Sequence, residues 1–270
     1  MLLSNKKCSK CESSYDIVED TCPFCGAHNE EYETRRVPKY HLWLPIYKEL
    51  IIFALGIIVL NLISELMAIF LKSQFVDEVA FIALVNGVRY TTVFALIGAT
   101  LIGSYKKLRK SFVEWLPYVV GFCVGLLLMG FNMAYSMIIN LFIETTTNEN
   151  QALANSMVKS YPLLAFFILV VIGPAVEEFT YRVGLFSFLA RIHRALAYSV
   201  TIVIFALIHF GFGATGQELV NEFIHLPVYV ISGAALCILY DLFGLSASLT
   251  AHTFNNLLSM LPTLIFINLK

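Results

Sequence analysis

Seven apolar runs, at 50–71, 79–102, 115–142, 161–190, 195–212, 223–243 and 245–268, succeed one another along the chain with short polar stretches between them. Most reach the ~20 residues that carry a helix across a hydrocarbon core of roughly 30 Å. The pattern predicts an all-α polytopic membrane protein of about seven to eight transmembrane helices. The third and fourth runs are long enough to tilt, kink or divide, and the last two are parted only by a turn around Gly244.

The polar segments set the domain plan. Residues 1–30 carry two cysteine pairs and read as a zinc-ribbon-like module. Residues 31–48, with the mixed-charge stretch TRRVPK at their centre, read as a linker and juxtamembrane segment, and 49–270 as the transmembrane domain. Trp43 and Tyr47 fit an interfacial anchor. The opening residues lack the unbroken apolar core and small-residue cleavage site of a signal peptide, so no cleaved leader is expected.

Loop charge orients the bundle, because Lys and Arg are retained on the cytoplasmic side. Lys6, Lys7, Arg35, Arg36, Lys39 and Lys48 precede the first run, KKLRK at 106–110 comes after the second, and Arg191 and Arg194 come after the fourth. Even numbers of crossings separate these groups, so all fall on one side. The loops SQFVDE, ETTTNENQALANSMVKS and GQELVNE fall on the other. The N-terminus is expected in the cytoplasm of a prokaryotic cell whose plasma membrane holds the bundle.

Composition agrees with the pattern: 58% of the residues are hydrophobic and 14% charged, with a mean hydropathy of +0.75. A net charge of -1 without a basic stripe gives no nucleic-acid footprint. The expected partners are membrane lipid, a polypeptide substrate and a protein that contacts the N-terminal module.

Four of the six cysteines form two CxxC pairs, Cys8/Cys11 and Cys22/Cys25. Each loop aims two thiolates at one point, so the two together can complete a tetrahedral sulfur shell for a structural zinc. A segment this short has little core of its own, and metal binding would supply most of its folding energy. Two disulfides and a redox CxxC are the competing readings; a reducing compartment favours zinc. Cys123 and Cys237 lie in apolar runs and are expected to be buried thiols.

Ionisable groups inside spans are costly and mark function by default. Glu65 and Arg89 could pair across helices, with Asn61, Asn86 and Asn132 as further interhelical hydrogen bonders. Glu114 and Asp241, near run ends, are expected to reach water. The denser set lies later: Glu177, Glu178 and Arg182 in GPAVEEFTYR, His209 in FALIH, and His252 and Asn256 in HTFNN. Glu178 and Arg182 are i,i+4 neighbours, which predicts a salt bridge and leaves Glu177 about 100° around the helix as the unpaired carboxylate. His252 and Asn256 are likewise i,i+4 and would aim at one point. Counted from the loop they share, Glu177 lies about 20 Å and His209 about 21 Å deep, so the two fit one level of an antiparallel pair. Gly173-Pro174 can bend the helix just before the glutamates. A buried carboxylate beside a histidine can activate water, and a second histidine with an asparagine can donate to an oxyanion. The same ligand types could instead hold a catalytic zinc, although no HExxH is present. His28, His41, His193 and His225 lack such company and read as loop, interfacial or packing residues.

EEFTYR, FALIH and HTFNN match, in order, the EExxxR, FxxxH and HxxxN motifs of the CPBP intramembrane endopeptidases, the CAAX prenyl protease type II and bacteriocin-processing group. The resemblance covers roughly 161–261. It implies that Glu177 activates the hydrolytic water together with His209, that His252 and Asn256 stabilise the oxyanion, and that Glu178 and Arg182 support the site. It also implies a membrane-associated or prenylated polypeptide as substrate and a metal-free, glutamate-type mechanism, with a metal mechanism as the alternative. The N-terminal module is not part of the family core. Two other functions use the same residues: a non-catalytic membrane adaptor or immunity protein, and a proton-coupled transporter. The latter gains nothing from the chain, which shows no internal repeat.

Overall fold

A computed structural model describes residues 5–16, 19, 21–29, 41–143 and 147–267. Arg35, Arg36 and Lys39, the centre of the expected linker, and Asn268 lie outside them. The N-terminal module is a two-stranded antiparallel ribbon, β1 (Asn5–Lys7) and β2 (Ser14–Asp16), and beyond it a bridge between Thr21 and His28. The remainder is helical: α1 (Ile46–Gln74), α2 (Glu78–Thr100), α3 (Tyr105–Lys110), α4 (Leu116–Asn140), α5 (Glu149–Ser160), α6 (Pro162–Ile192), α7 (Arg194–Leu207), α8 (Gln217–Phe243) and α9 (Leu245–Ile267).

Every expected span is a helix, and α1, α2, α4, α6 and α8 are both long and apolar enough to cross a membrane. The protein is therefore an all-α polytopic membrane protein with a four-cysteine module at its N-terminus. At 14 residues α7 is shorter than a full crossing requires. Helix α9 has the length, but Ser246, Ser248, Thr250, His252, Asn255, Asn256 and Ser259 make it polar. Large side chains such as Phe70, Leu127, Met137, Leu163 and Val203 face outward, as a hydrocarbon solvent permits.

Helix α9 is held by close backbone contact with α4. A Cβ on Gly121 would lie 2.4 Å from the Ala247 carbonyl oxygen, and one on Gly125 3.0 Å from that of Ala251. This GxxxG pair lets the two helices touch where side chains would separate them. The α8–α9 turn depends on Gly244, whose φ of 81° no ordinary L-residue adopts cheaply. The main core joins α1, α2, α6 and α8 through Leu44, Ile52, Val93, Ile97, Val176, Phe186 and Tyr240.

Several polar residues lie where the sequence did not put them. Asp241 does not reach water: it is buried and accepts from Arg194 Nε and Nη2, both at 2.7 Å, and from Tyr198 at 2.8 Å. Trp43 is no interfacial anchor but a buried platform, stacked on His41 at 4.0 Å with the Arg191 guanidinium 4.9 Å from its ring, whereas Tyr47 is exposed. Arg191 is fully buried in a two-point pair with Glu49, 2.9 Å on each side. Arg89 donates to Ser64 at 3.2 Å rather than pairing with Glu65. Cys237 is buried as expected, but Cys123 is exposed on the outer face of α4. Two expected loops contain helices: α3 takes in all of KKLRK, and α5 lies within the 144–160 segment.

Candidate active site

Helix α6 is irregular where the glutamates sit. Regular α-helix at Gly173–Glu177 is flanked by π-helical turns at Phe166–Ile172 and Glu178–Phe186. Pro174 has no N–H for the carbonyl four residues back, so the regular ladder cannot run through this point. A π turn inserts an extra residue and rotates the helix beyond it, a distortion common at functional sites. Its product here is a pair of adjacent carboxylates with different surroundings.

Glu178 is fully buried. Its Oε1 is 3.1 Å from Arg182 Nη1, the i,i+4 ion pair the spacing predicted, and accepts from His252 Nδ1 at 2.8 Å. The Arg182 guanidinium also lies 4.3 Å from the Phe205 ring centroid, a cation–π contact on its other side. Glu177 faces a cavity instead. Its Oε1 accepts from the Tyr90 hydroxyl at 3.1 Å, and its Oε2 lies 3.7 Å from His252 Nε2. The carboxylate expected to be unpaired thus has a tyrosine on one oxygen and a histidine near the other.

His252 bridges the two glutamates. Because Nδ1 faces a carboxylate oxygen it carries a proton, and Nε2 is the nitrogen turned toward Glu177. His209 sits not within a span but in the turn that ends α7, which stops at Leu207. Its Nδ1–H donates to the Phe205 carbonyl at 2.8 Å, so neutral His209 bears its lone pair on Nε2. Tyr229 stacks on the ring at 4.5 Å and 15°. The Tyr229 hydroxyl donates to Asn148 Oδ1 at 3.2 Å, and Asn148 Nδ2 donates to the His209 carbonyl at 3.2 Å. Asn256 Nδ2 donates to the Leu169 carbonyl at 2.9 Å, inside the first π-helical stretch.

A cavity of about 590 Å³ joins these groups, with Glu177, His209, His252 and Asn256 all on its wall. Glu178 and Arg182 stand behind that wall. The volume suits a short stretch of polypeptide. Tyr90, Tyr229 and Asn148 are site residues that sequence reading missed. A tyrosine beside an arginine in an apolar run was the available signal for the first; the others depend on which helices meet. Asn148 is the N-cap of α5, accepting from Gln151 N at 3.3 Å, and α5 covers the cavity through residues such as Asn155 and Met157.

The four cysteines converge as well, with ligand atoms all within 4.8 Å of one another. Cys8 and Cys25 sulfurs are 3.5 Å apart and those of Cys11 and Cys22 3.6 Å, far beyond a disulfide bond and near the edge of a tetrahedron built on Zn–S bonds of about 2.3 Å. The side-chain hydroxyl and backbone of Ser13 pull the Cys11 thiol down to about 6. The Ala27 backbone N–H favours the Cys25 thiolate, yet Cys11, burial and the remaining cysteines push Cys25 up to about 12. Four thiolates so close need a cation among them, and this donor set fits a zinc ribbon. The module meets the helical part through Glu19 and Lys107 of α3.

Residues 159–258 match the family described as type II CAAX prenyl endopeptidase Rce1-like. The match covers the segment that carries Glu177, His209, His252 and Asn256, about a third of the chain. All six residues proposed from the motifs fall inside this segment, whereas Arg89, Tyr90 and the cysteine module fall outside it. The UPF0177 protein YvdC of Lactococcus lactis subsp. lactis (strain IL1403) is 26% identical over 125 residues, covering 43% of this chain and 47% of that protein. The chain thus spans about half the length of this curated relative. No solved structure matches. The Rce1-like match and the five helices long and apolar enough to cross a membrane together make the protein an integral membrane protein.

Proposed function

We propose that the protein is a glutamate-type intramembrane endopeptidase that hydrolyses a peptide bond of a membrane-associated or prenylated polypeptide. The observation that carries this reading is the single cavity wall on which Glu177, His209, His252 and Asn256 meet, with the Glu178–Arg182 pair fixing His252 from behind. A water held between Glu177 and His209 Nε2 gives a proton to Glu177 as its oxygen attacks the scissile carbonyl. The oxyanion is met by the Nε2–H of a doubly protonated His252, whose Nδ1–H is held by Glu178, and by the second amide hydrogen of Asn256, its first being held by Leu169. Glu177 then passes the proton to the leaving amine as the C–N bond breaks. Tyr90 orients Glu177, and Tyr229 orients His209.

Among the described residues, the cysteine tetrad is where three or more metal-ligand atoms converge. That favours a structural zinc in the N-terminal module. The module serves recruitment or recognition of a partner. The N-terminus lies in the cytoplasm of a prokaryotic cell, in keeping with the basic residues near 106–110, 191 and 194.

The test is cleavage of a quenched library of membrane-associated peptides by detergent-purified protein. Wild type, Glu177→Ala and a chelated sample of counted zinc content are compared. Loss of cleavage in Glu177→Ala, by at least about a hundredfold, with activity kept after metal removal, is the expected result. Cleavage indifferent to Glu177 would overturn the mechanism. A cellular function that survives Glu177→Ala but fails when Cys22 is replaced would favour the adaptor.

A further inference from the structure

Glu222 ends the polar stretch GQELVNE, which the sequence assigns to a loop, yet it lies on the second turn of α8 with only 2% of its surface exposed. The Lys and Arg ion pairs among the described residues go elsewhere, to Glu19, Glu178, Glu49 and Asp241. Both oxygens of Glu222 meet backbone N–H groups instead. Its Oε2 accepts from Gly211 N at 2.9 Å and its Oε1 from Glu149 N at 2.8 Å. Gly211 lies two residues past His209 in the turn that ends α7. Glu149 is the first residue of α5, the helix that covers the cavity, and its N–H is one of the donors a helix leaves without an internal partner. A hydrogen bond to a carboxylate is stronger than one between neutral groups, and a helix N-terminus favours negative charge. One buried side chain thus ties the histidine turn to the helix over the cavity.

The three segments meet closely. A Cβ on Gly211 would lie 2.4 Å from Glu149 Oε2 and 3.1 Å from Glu222 Oε1. Asn148, one residue before Glu149, donates to the His209 carbonyl at 3.2 Å. Tyr229, two turns along α8 from Glu222, donates to Asn148 and stacks on the His209 ring. One face of α8 therefore holds His209 twice, by its ring through Tyr229 and by its backbone turn through Glu222. Glu222 is not on the cavity wall, so it acts through His209 and not on the substrate.

We propose that Glu222 is a positioning residue that fixes His209 for catalysis and makes that alignment depend on the seating of α5 over the cavity. The inference rests on the peptidase reading. Enclosure of the substrate and alignment of the histidine then occur together.

Three full-length variants test this. Glu222→Gln removes the charge and one acceptor. Glu149→Pro removes the N–H but keeps the Glu222 charge. Proline suits a first helical position, and Asn148, at φ -68° and ψ 166°, already has the extended backbone preferred before proline. Glu149→Ala keeps the N–H and serves as the comparison. Cleavage of a quenched peptide that wild type cuts is measured, together with hydrogen exchange of the 209–213 turn in detergent. Glu222→Gln and Glu149→Pro are each expected to lower kcat by at least about tenfold, with KM within about threefold of wild type. Both should speed exchange of the turn by at least about threefold, while Glu149→Ala stays within that range in rate and exchange. Wild-type kcat in Glu222→Gln overturns the proposal, as does a loss in both variants without faster exchange of the turn. A loss that Glu149→Pro does not share would mean that the charge of Glu222 acts by itself, and overturns the tie to α5. An equal loss in Glu149→Ala would trace the effect to the Glu149 side chain and overturn it too. Should Glu222→Gln fail to fold, Glu149→Pro carries the same test. Faster turn exchange in both variants of a protein that cleaves no peptide upholds the tie between turn and helix and overturns the peptidase reading alone.

Discussion

Glu49–Arg191 and Glu178–Arg182 are buried charge pairs whose partners remove the desolvation cost only while both are present. Glu49 and Arg191 form such a pair with no exposed side-chain area on either partner. Replacing Glu49 by Ala strands the guanidinium and is expected to lower stability by about 3–5 kcal/mol, measured as unfolding of the detergent-solubilised protein. His41 gives a second residue-scale prediction. Burial lowers its imidazole below the ordinary value of 6.5, against the opposing pull of Asp241 at 3.8 Å. A base with a depressed folded value binds fewer protons when folded, so its site is fully compatible with the fold above pH 6.5. Stability is then lost as the pH falls below that value, until the folded group also titrates. The melting temperature should decline on acidification through this window, and His41→Phe should flatten the decline; an unchanged slope would refute the assignment. The Glu178–Arg182 pair was legible in the sequence because i,i+4 spacing is local. Glu49–Arg191 was not, since 142 positions separate them and no periodicity connects such distances.

At the scale of the element, the placement of α9 decides the placement of His252. Gly121→Ala would set a methyl 2.4 Å from the Ala247 carbonyl oxygen, whereas Gly130, on the same helix, has nothing within 4 Å of its would-be Cβ. Gly121→Ala is expected to cost about 1–3 kcal/mol and to reduce kcat/KM by at least about tenfold, because a displacement of about 1 Å in a reacting group is expensive. Gly130→Ala should leave the rate alone and raise stability by up to about 1 kcal/mol. Equal effects of the two substitutions would sink the explanation. The apolar runs announced a helix at each of the seven expected spans, five of them long and apolar enough to cross a membrane, since length and hydropathy are properties of a segment by itself. The π-helical turns beside Glu177 and the helix within 149–160 were not announced. Asn148 and the mixed polarity of α5 make sense only once one face of that helix is seen to close the cavity.

The whole molecule combines a large helical bundle with a small module whose buried hydrophobic cluster is little more than Cys8, Tyr15 and Cys22. A module with so small a core is expected to draw its folding energy from a metal held by the four cysteines, whereas the bundle has a core of its own. One zinc per chain is expected by elemental analysis, and Cys22→Ser should abolish it. The same change should shift the melting of the helices by less than about 2 °C, because among the described residues the module is tied to the helices by a partly exposed ion pair, Glu19–Lys107. A collapse of the bundle on zinc removal would show that the module is integral to it.

Sequence by itself determined what depends on neighbours along the chain: the spans, from apolar length; the cysteine module, from paired CxxC loops; and the candidate residues, from motifs on three separate helices. Tertiary structure decided what depends on helices meeting. It put His252 between two glutamates, set Tyr90 on Glu177, placed Arg89 at the cavity, and hid Asp241 and Arg191 beneath partners far away in sequence. The reason is physical: local hydrogen bonding and hydropathy are written at intervals of a few residues, whereas the burial and pairing of a charge are settled only by which surfaces the folded bundle brings together.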